Sequence, residues 1–217
     1  MHRYFVTGTD TNVGKTRVAA ALALALRNAG EAPSVVKVVQ TGAGPGDEGD
    51  AARAGALAGV PHAELERFAK AADPWSAARA QKATLSAADL ATRIGAFAGA
   101  LVVEGSGGIM VPINEREHLG DVARAAQLEV LLVVGLRLGC INHALLTLLF
   151  CREAGIPVAG ALLVERWAPT DEAYRDDVMR ALQGKSPLLG ILPFAPAEAD
   201  SVAAGANLLL PFINRNG

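Results

Sequence analysis

Lys15, Thr16, Lys37, Asp50 and Glu104 are the side chains in this sequence suited to handling transferred phosphate. Gly14-Lys15-Thr16 closes the stretch GTDTNVGKT, and five residues separate Gly8 from Gly14, where the usual phosphate-binding loop has about four. In such a loop, backbone N–H groups converge on phosphate oxygens at a helix N-terminus, the lysine adds mobile positive charge, and the Thr hydroxyl is a Mg²⁺ ligand. Asn12, Val13, Gly14, Lys15, Thr16 and Arg17 are therefore the candidate nucleotide contacts of the loop. The plainer alternative is a Gly-rich turn with an incidental lysine. The coincidence of strand, loop, helix and Gly-Lys-Thr disfavours it.

Glu104 ends the apolar run LVVE and precedes Gly105-Ser106-Gly107-Gly108, a backbone that can approach a ligand closely. Glu104, Gly105, Ser106 and Gly107 join the candidate nucleotide set, as does Asp50, which opens a helix after an acidic loop. Thr16, Asp50 and Glu104 supply oxygen ligands suited to Mg²⁺, which needs few protein groups. Asp50 also has an ordinary reading as a helix N-cap. Lys37 interrupts VVKVV, where a buried ammonium is costly without a partner. Phosphate is one such partner, and a lysine reaching out to solvent at a sheet edge is the equal alternative.

The elements that must hold these groups alternate. Tyr4 to Thr7, Val35 to Val39, Leu101 to Glu104, Val130 to Val134 and Val158 to Val164 read as buried strands, with a weaker one at Gly190 to Leu192. Lys15 to Asn28, Ser86 to Phe97, Asn142 to Ala154 and Asp171 to Leu182 read as helices. TGAGPGDEG, from Thr41 to Gly49, reads as a loop. The alternation predicts a three-layer α/β/α fold with a mostly parallel sheet, formed as one domain over residues 1–217. Ligands of such folds bind beyond the carboxyl ends of the strands, here after Thr7, Val39, Val103 and Val134.

Composition narrows the function classes. Apolar residues make up 51% and charged residues 19% of the chain, a globular balance. A net charge of −2 with scattered Lys and Arg predicts no nucleic-acid partner. The longest apolar run, Val18 to Leu26, is too short to span a bilayer, so no membrane partner is expected. Cys140 and Cys151 form no metal or disulfide pattern, which predicts a cytoplasmic setting. His2, His62, His118 and His143 have no metal-binding or triad spacing and read as structural.

Taken together, GTDTNVGKT at 8–16, KVVQTG at 37–42, EGSGG at 104–108 and LGCINH at 138–143 resemble the dethiobiotin synthetase family, whose forms are GTDTxVGKT, KPVxxG, EGAGG and LGxxNH. The resemblance spans most of the chain and implies a P-loop NTPase-like fold. It implies the reaction of 7,8-diaminopelargonate, CO₂ and ATP to dethiobiotin, ADP and phosphate, in biotin biosynthesis. A carbamate forms on one amine and attacks the γ-phosphate, and the second amine closes the ring on the mixed anhydride. It further implies that Lys15 and Lys37 are catalytic and that Thr16, Asp50 and Glu104 hold Mg²⁺. Thr41 stands where relatives bind substrate with a serine. Gly139, Cys140, Ile141 and Asn142 would receive the substrate carboxylate across a homodimer interface.

Two departures stand out. Val38 replaces a common proline, and Val164-Glu165 stands where many relatives read adenine with Asn-Asp. Glu165 is acceptor-only when ionised, so it replaces only one side of such a contact. Backbone groups of Pro193, Phe194 and Ala195 are the alternative base readers, or several nucleoside triphosphates are accepted. The competing functional reading is a switch ATPase of the partitioning and septum-placing type. Such proteins usually carry an extra lysine early in the loop, where this chain has Thr9 or Asp10. A dinucleotide-binding oxidoreductase is disfavoured by the lack of G-x-G-x-x-G.

Overall fold

Strands buried on both faces read as continuous apolar runs, whereas strands at a sheet edge do not; both kinds occur here. The computed structural model describes residues 1–216. Among them seven strands form one parallel sheet: β1 (Arg3–Gly8), β2 (Ser34–Thr41), β3 (His62–Phe68), β4 (Leu101–Glu104), β5 (Glu129–Gly135), β6 (Val158–Val164) and β7 (Leu188–Leu192). Their spatial order is β3-β2-β4-β1-β5-β6-β7. The chain leaves β1 in one direction for β2 and later crosses to β5 on the other side, so the crevice for ligands opens at the end of β1.

Side chains along the central strands alternate between two layers. Tyr4 and Val6 pack with α1 (Lys15–Asn28), α2 (Asp50–Ala58) and α8 (Glu198–Asn216). Phe5, Leu101 and Val103 face the layer of α3 (Pro74–Ala80), α4 (Ala87–Gly95) and α5 (Leu119–Ala125). Leu132 and Val134 continue that layer under α6 (Cys140–Glu153) and α7 (Glu172–Leu182). This is the three-layer α/β/α arrangement expected from the alternation.

Several elements differ from the sequence reading. β3 is an extra edge strand; its sequence HAELERF is half-polar because only its last residue is fully buried. Short α3 and α5 and the long α8 are also added. α8 contains Pro211 and Gly205, poor helix formers, yet its packing on α1 requires the glycine: a Cβ there would lie 2.7 Å from Ala21 Cβ. α6 begins at Cys140 rather than Asn142, with Gly139 in the left-handed region at its N-cap, so Asn142 lies inside the first turn. Thr41 is the last residue of β2 and not part of the following loop. Among the described residues, no helix is long and apolar enough to cross a membrane.

Candidate functional site

β1 ends at Gly8 because the chain there passes too close to its own loop for any side chain. A Cβ at Gly8 would lie 2.6 Å from Val13 Cγ2 and 2.9 Å from the Asp10 carbonyl. The loop then turns through Asn12 (φ 60°) and Gly14 (φ 103°), left-handed conformations that let it wrap before α1 starts at Lys15. Val13 is buried beneath it. The Lys15 ammonium donates to the Asp10 carbonyl at 2.8 Å, folding back over the loop as a phosphate-binding lysine does. Burial, then the nearby Lys37 charge, pushes the Lys15 pKa down to about 8. It remains mainly charged at neutral pH.

The centre of the site is a buried charge cluster. β2 and β4 pair in a register that sets Lys37 opposite Glu104. Lys37 Nζ lies 2.8 Å from Glu104 Oε1, 2.6 Å from Asp50 Oδ2 and 3.0 Å from the Gly105 carbonyl. Thr16 donates to the same Glu104 oxygen at 3.0 Å. The Lys37 and Glu104 side chains are only 4% and 1% exposed, so the lysine does not reach out to solvent at a sheet edge. Burial opposes the Lys37 charge, but Glu104 and Asp50 outweigh it and hold its pKa above the ordinary lysine value. Burial, with help from Asp50, raises the Glu104 pKa against the pull of Lys37.

Asp50 is the first residue of α2 and Gly49 is its N-cap, so the capping role considered for Asp50 does not apply. Its carboxylate is turned instead toward Lys37. Gln40 fixes this entry, accepting from the Asp50 N–H at 2.8 Å. Glu104 Oε2 is buried and has no hydrogen-bond partner among the described residues. A free carboxylate oxygen beside a second carboxylate and a threonine hydroxyl is a hard-oxygen donor set that fits Mg²⁺. Gly8 donates to the Gly107 carbonyl at 3.3 Å, and Ser106 donates to the Val39 carbonyl, joining the Glu104 loop to the phosphate loop and β2.

A cavity of about 590 Å³ joins these groups. Asn12, Gly14, Lys15, Thr16 and Arg17 line it with Lys37, Thr41, Asp50, Glu104, Ser106 and Gly107. Gln40, Arg53, Asp73, Arg166 and Glu198 also line it and were missed by sequence reasoning; of these only Gln40 lies within a quoted motif, KVVQTG.

The expected base readers are arranged differently. Glu165 is buried, and its carboxylate accepts from Thr170 N–H at 2.9 Å and from Phe194 N–H at 3.1 Å, with Arg175 3.5 Å away. It ties the loop after β6 to the Pro193-Phe194-Ala195 segment after β7 and engages the Phe194 donor in doing so. Val164 packs on the phosphate loop, its Cγ1 only 3.2 Å from a Cβ placed at Gly14. Gly139, Cys140, Ile141 and Asn142 do not line the cavity within the same chain. Cys140 is buried with its Sγ 3.5 Å from the Tyr174 hydroxyl, while Asn142 is exposed.

A parallel sheet carrying a glycine loop, Lys and Thr between its first strand and first helix defines a P-loop NTPase. Solved structures agree on the fold. A ParA family ATPase from Chlorobium tepidum matches with a TM-score of 0.59 at 14% identity, covering 96% of this chain and 90% of that one. The MinC:MinD cell division complex of Aquifex aeolicus matches with a TM-score of 0.59 at 14% identity, covering 100% and 96%. A family model described as an AAA domain matches residues 2–200. Sequence relatives are more specific. The chain is 41% identical to the ATP-dependent dethiobiotin synthetase BioD of Anaeromyxobacter dehalogenans, covering 96% of this chain and 97% of the relative. It is 36% identical to that of Nitrosospira multiformis, covering 88% of each. The chain belongs to the dethiobiotin synthetase family.

Proposed function

We propose that the protein is a dethiobiotin synthetase, a cyclo-ligase of biotin biosynthesis acting on 7,8-diaminopelargonate, CO₂ and ATP. The observation that carries this reading is the Lys37–Glu104–Asp50 cluster, with Thr16 on Glu104, in one cavity with Lys15 and Thr41. Family membership supports the specific chemistry.

One substrate amine forms an N–C bond to CO₂ and gives up a proton, leaving a carbamate. A carbamate oxygen attacks the γ-phosphorus, and ADP departs. The second amine attacks the carbamoyl carbon and gives up a proton, and the C–O bond to phosphate breaks as the ring closes and phosphate departs. Lys37 offers its ammonium to the carbamate and the transferring phosphoryl group, and Lys15 to the phosphates. Both are held in place beforehand, which is how fixed charge lowers such barriers. Thr41 hydrogen-bonds the diamine or carbamate. Thr16, Asp50 and Glu104 would hold Mg²⁺, which would supply neutralisation of the phosphate charge. Glu104 has a buried oxygen to give to that role.

The remaining contacts complete the reading. Residues 1–217 act as one domain in a homodimer, with Gly139, Cys140, Ile141 and Asn142 receiving the substrate carboxylate of the partner's site. The α6 N-terminus supports this, since the N–H groups of Ile141 and Asn142 in its first turn favour an anion, while that of Cys140 donates to the Arg137 carbonyl. Two buried, unpaired cysteines accord with a cytoplasmic setting. With Glu165 and the Phe194 N–H engaged with each other, base reading is weak, and CTP, GTP and UTP also support turnover.

The test is phosphate release from ATP with and without diaminopelargonate and bicarbonate. Release that needs both supports the synthetase. Release indifferent to both favours a switch ATPase instead.

A further inference from the structure

Two arginines, from α1 and α2, meet one carboxylate in the cavity, and a third, Arg166, lines the same cavity without touching it. Glu198, in the first turn of α8, accepts from Arg17 Nε at 3.2 Å and from Arg53 Nε at 2.7 Å. Arg166, just past β6, lies against the phosphate loop, with its Cδ 3.7 Å from a Cβ placed at Gly14. All four side chains line the cavity.

Both Glu198 oxygens are engaged by Arg17 and Arg53. Among the described residues, Arg166 has no hydrogen bond or ion pair. Burial, then the Arg17 charge, lowers its pKa from the ordinary arginine value, with Glu198 opposing. Three guanidinium groups against one carboxylate leave an excess of positive charge with fork-shaped donors, which suits a phosphate group.

Its place along the loop selects the phosphate. In a phosphate loop the lysine reaches the β- and γ-phosphates. Arg17 follows Lys15 and Thr16 into α1, and Arg166 reaches the loop at Gly14 from just past the end of β6. We propose that Arg17 and Arg166 clamp the α-phosphate of the nucleoside triphosphate, with Glu198 positioning Arg17 and Arg53 steadying Glu198. Affinity then rests on the polyphosphate rather than the base. The clamp rests on the nucleotide site proposed above and gives a physical cause for its broad base choice.

The test is calorimetric binding of ATP, CTP, GTP, UTP and inorganic tripolyphosphate to wild type, Arg166→Ala and Arg166→Lys, with melting temperatures of each nucleotide-free protein. Arg166→Ala is expected to weaken all five by a common factor of about 10-fold to 100-fold, at an unchanged melting temperature, and Arg166→Lys by less. Glu198→Gln is expected to weaken binding when Arg17 is present and to add nothing to Arg17→Ala, as a positioning role requires. A loss confined to particular bases makes Arg166 a base reader and overturns the clamp. Unchanged binding in Arg166→Ala, beside normal dethiobiotin formation, overturns the clamp and leaves the synthetase standing. Failure of wild type to bind any triphosphate overturns both.

Discussion

Lys37 and Glu104 sit opposite each other on β2 and β4, and their side chains meet with Nζ 2.8 Å from Oε1. Sheet register therefore builds the ion pair, and Asp50 and Thr16 converge on it from the starts of two helices.

Removing the lysine has two consequences. Lys37→Ala is expected to lower kcat by about 10²- to 10³-fold. It also leaves a buried carboxylate unpaired, a loss of about 3–5 kcal/mol for a broken buried pair. Lys37→Ala combined with Glu104→Gln regains part of that stability but no activity. Chemical denaturation of both variants beside steady-state kinetics checks the division. Equal stabilities would remove the buried pair from the account.

Gly8 tests the loop. A methyl at Gly8 would press on Val13 and the Asp10 carbonyl, the same carbonyl that receives Lys15. Gly8→Ala is expected to misplace Lys15 and lower turnover by about 10²-fold, with weaker nucleotide binding by calorimetry.

Glu165 is a tie between loops. In Glu165→Gln one carboxylate oxygen becomes an NH₂ group, which cannot accept from both Thr170 and Phe194. Stability is expected to fall by about 1–3 kcal/mol, while ATP, CTP, GTP and UTP turnover change by one common factor. A base-selective change measured across the four would make Glu165 a base reader after all.

Alkaline pH should loosen the packing of α6 at Cys151 against the layer of Phe5, Leu101 and Val103. Burial pushes the Cys151 thiol up to about 11 in the folded protein, from an ordinary value of 9.0. A raised folded pKa contributes stability that is complete below pH 9 and is lost as pH rises toward 11. Cys151→Ala removes that titration at the cost of a cavity. The melting-temperature gap between wild type and variant should therefore narrow from pH 8.5 to pH 10.5. A constant gap would show that the thiol does not titrate differently on unfolding.

The phosphate loop, its helix and the central strands were legible because local pattern determines them: GTDTNVGKT follows an apolar strand, and LVVE is buried throughout. β3 was not, since an edge strand keeps polar residues that pair with neighbours, as Glu66 does with Arg93. The partner of Lys37 was also hidden, because it depends on which strands become neighbours. Glu198 lies far in sequence from Arg17 and Arg53 and meets them only when α8 docks on α1 and α2. Glu165 is an acceptor by residue type, but the donors it meets, the amides of Thr170 and Phe194, depend on how the loops after β6 and β7 come together.

The most direct test supplies purified protein with diaminopelargonate, isotopically labelled bicarbonate, Mg²⁺ and ATP, and follows the products by mass spectrometry. The account predicts dethiobiotin carrying one labelled carbon, formed in step with ADP. ATP hydrolysis with no labelled dethiobiotin would contradict it.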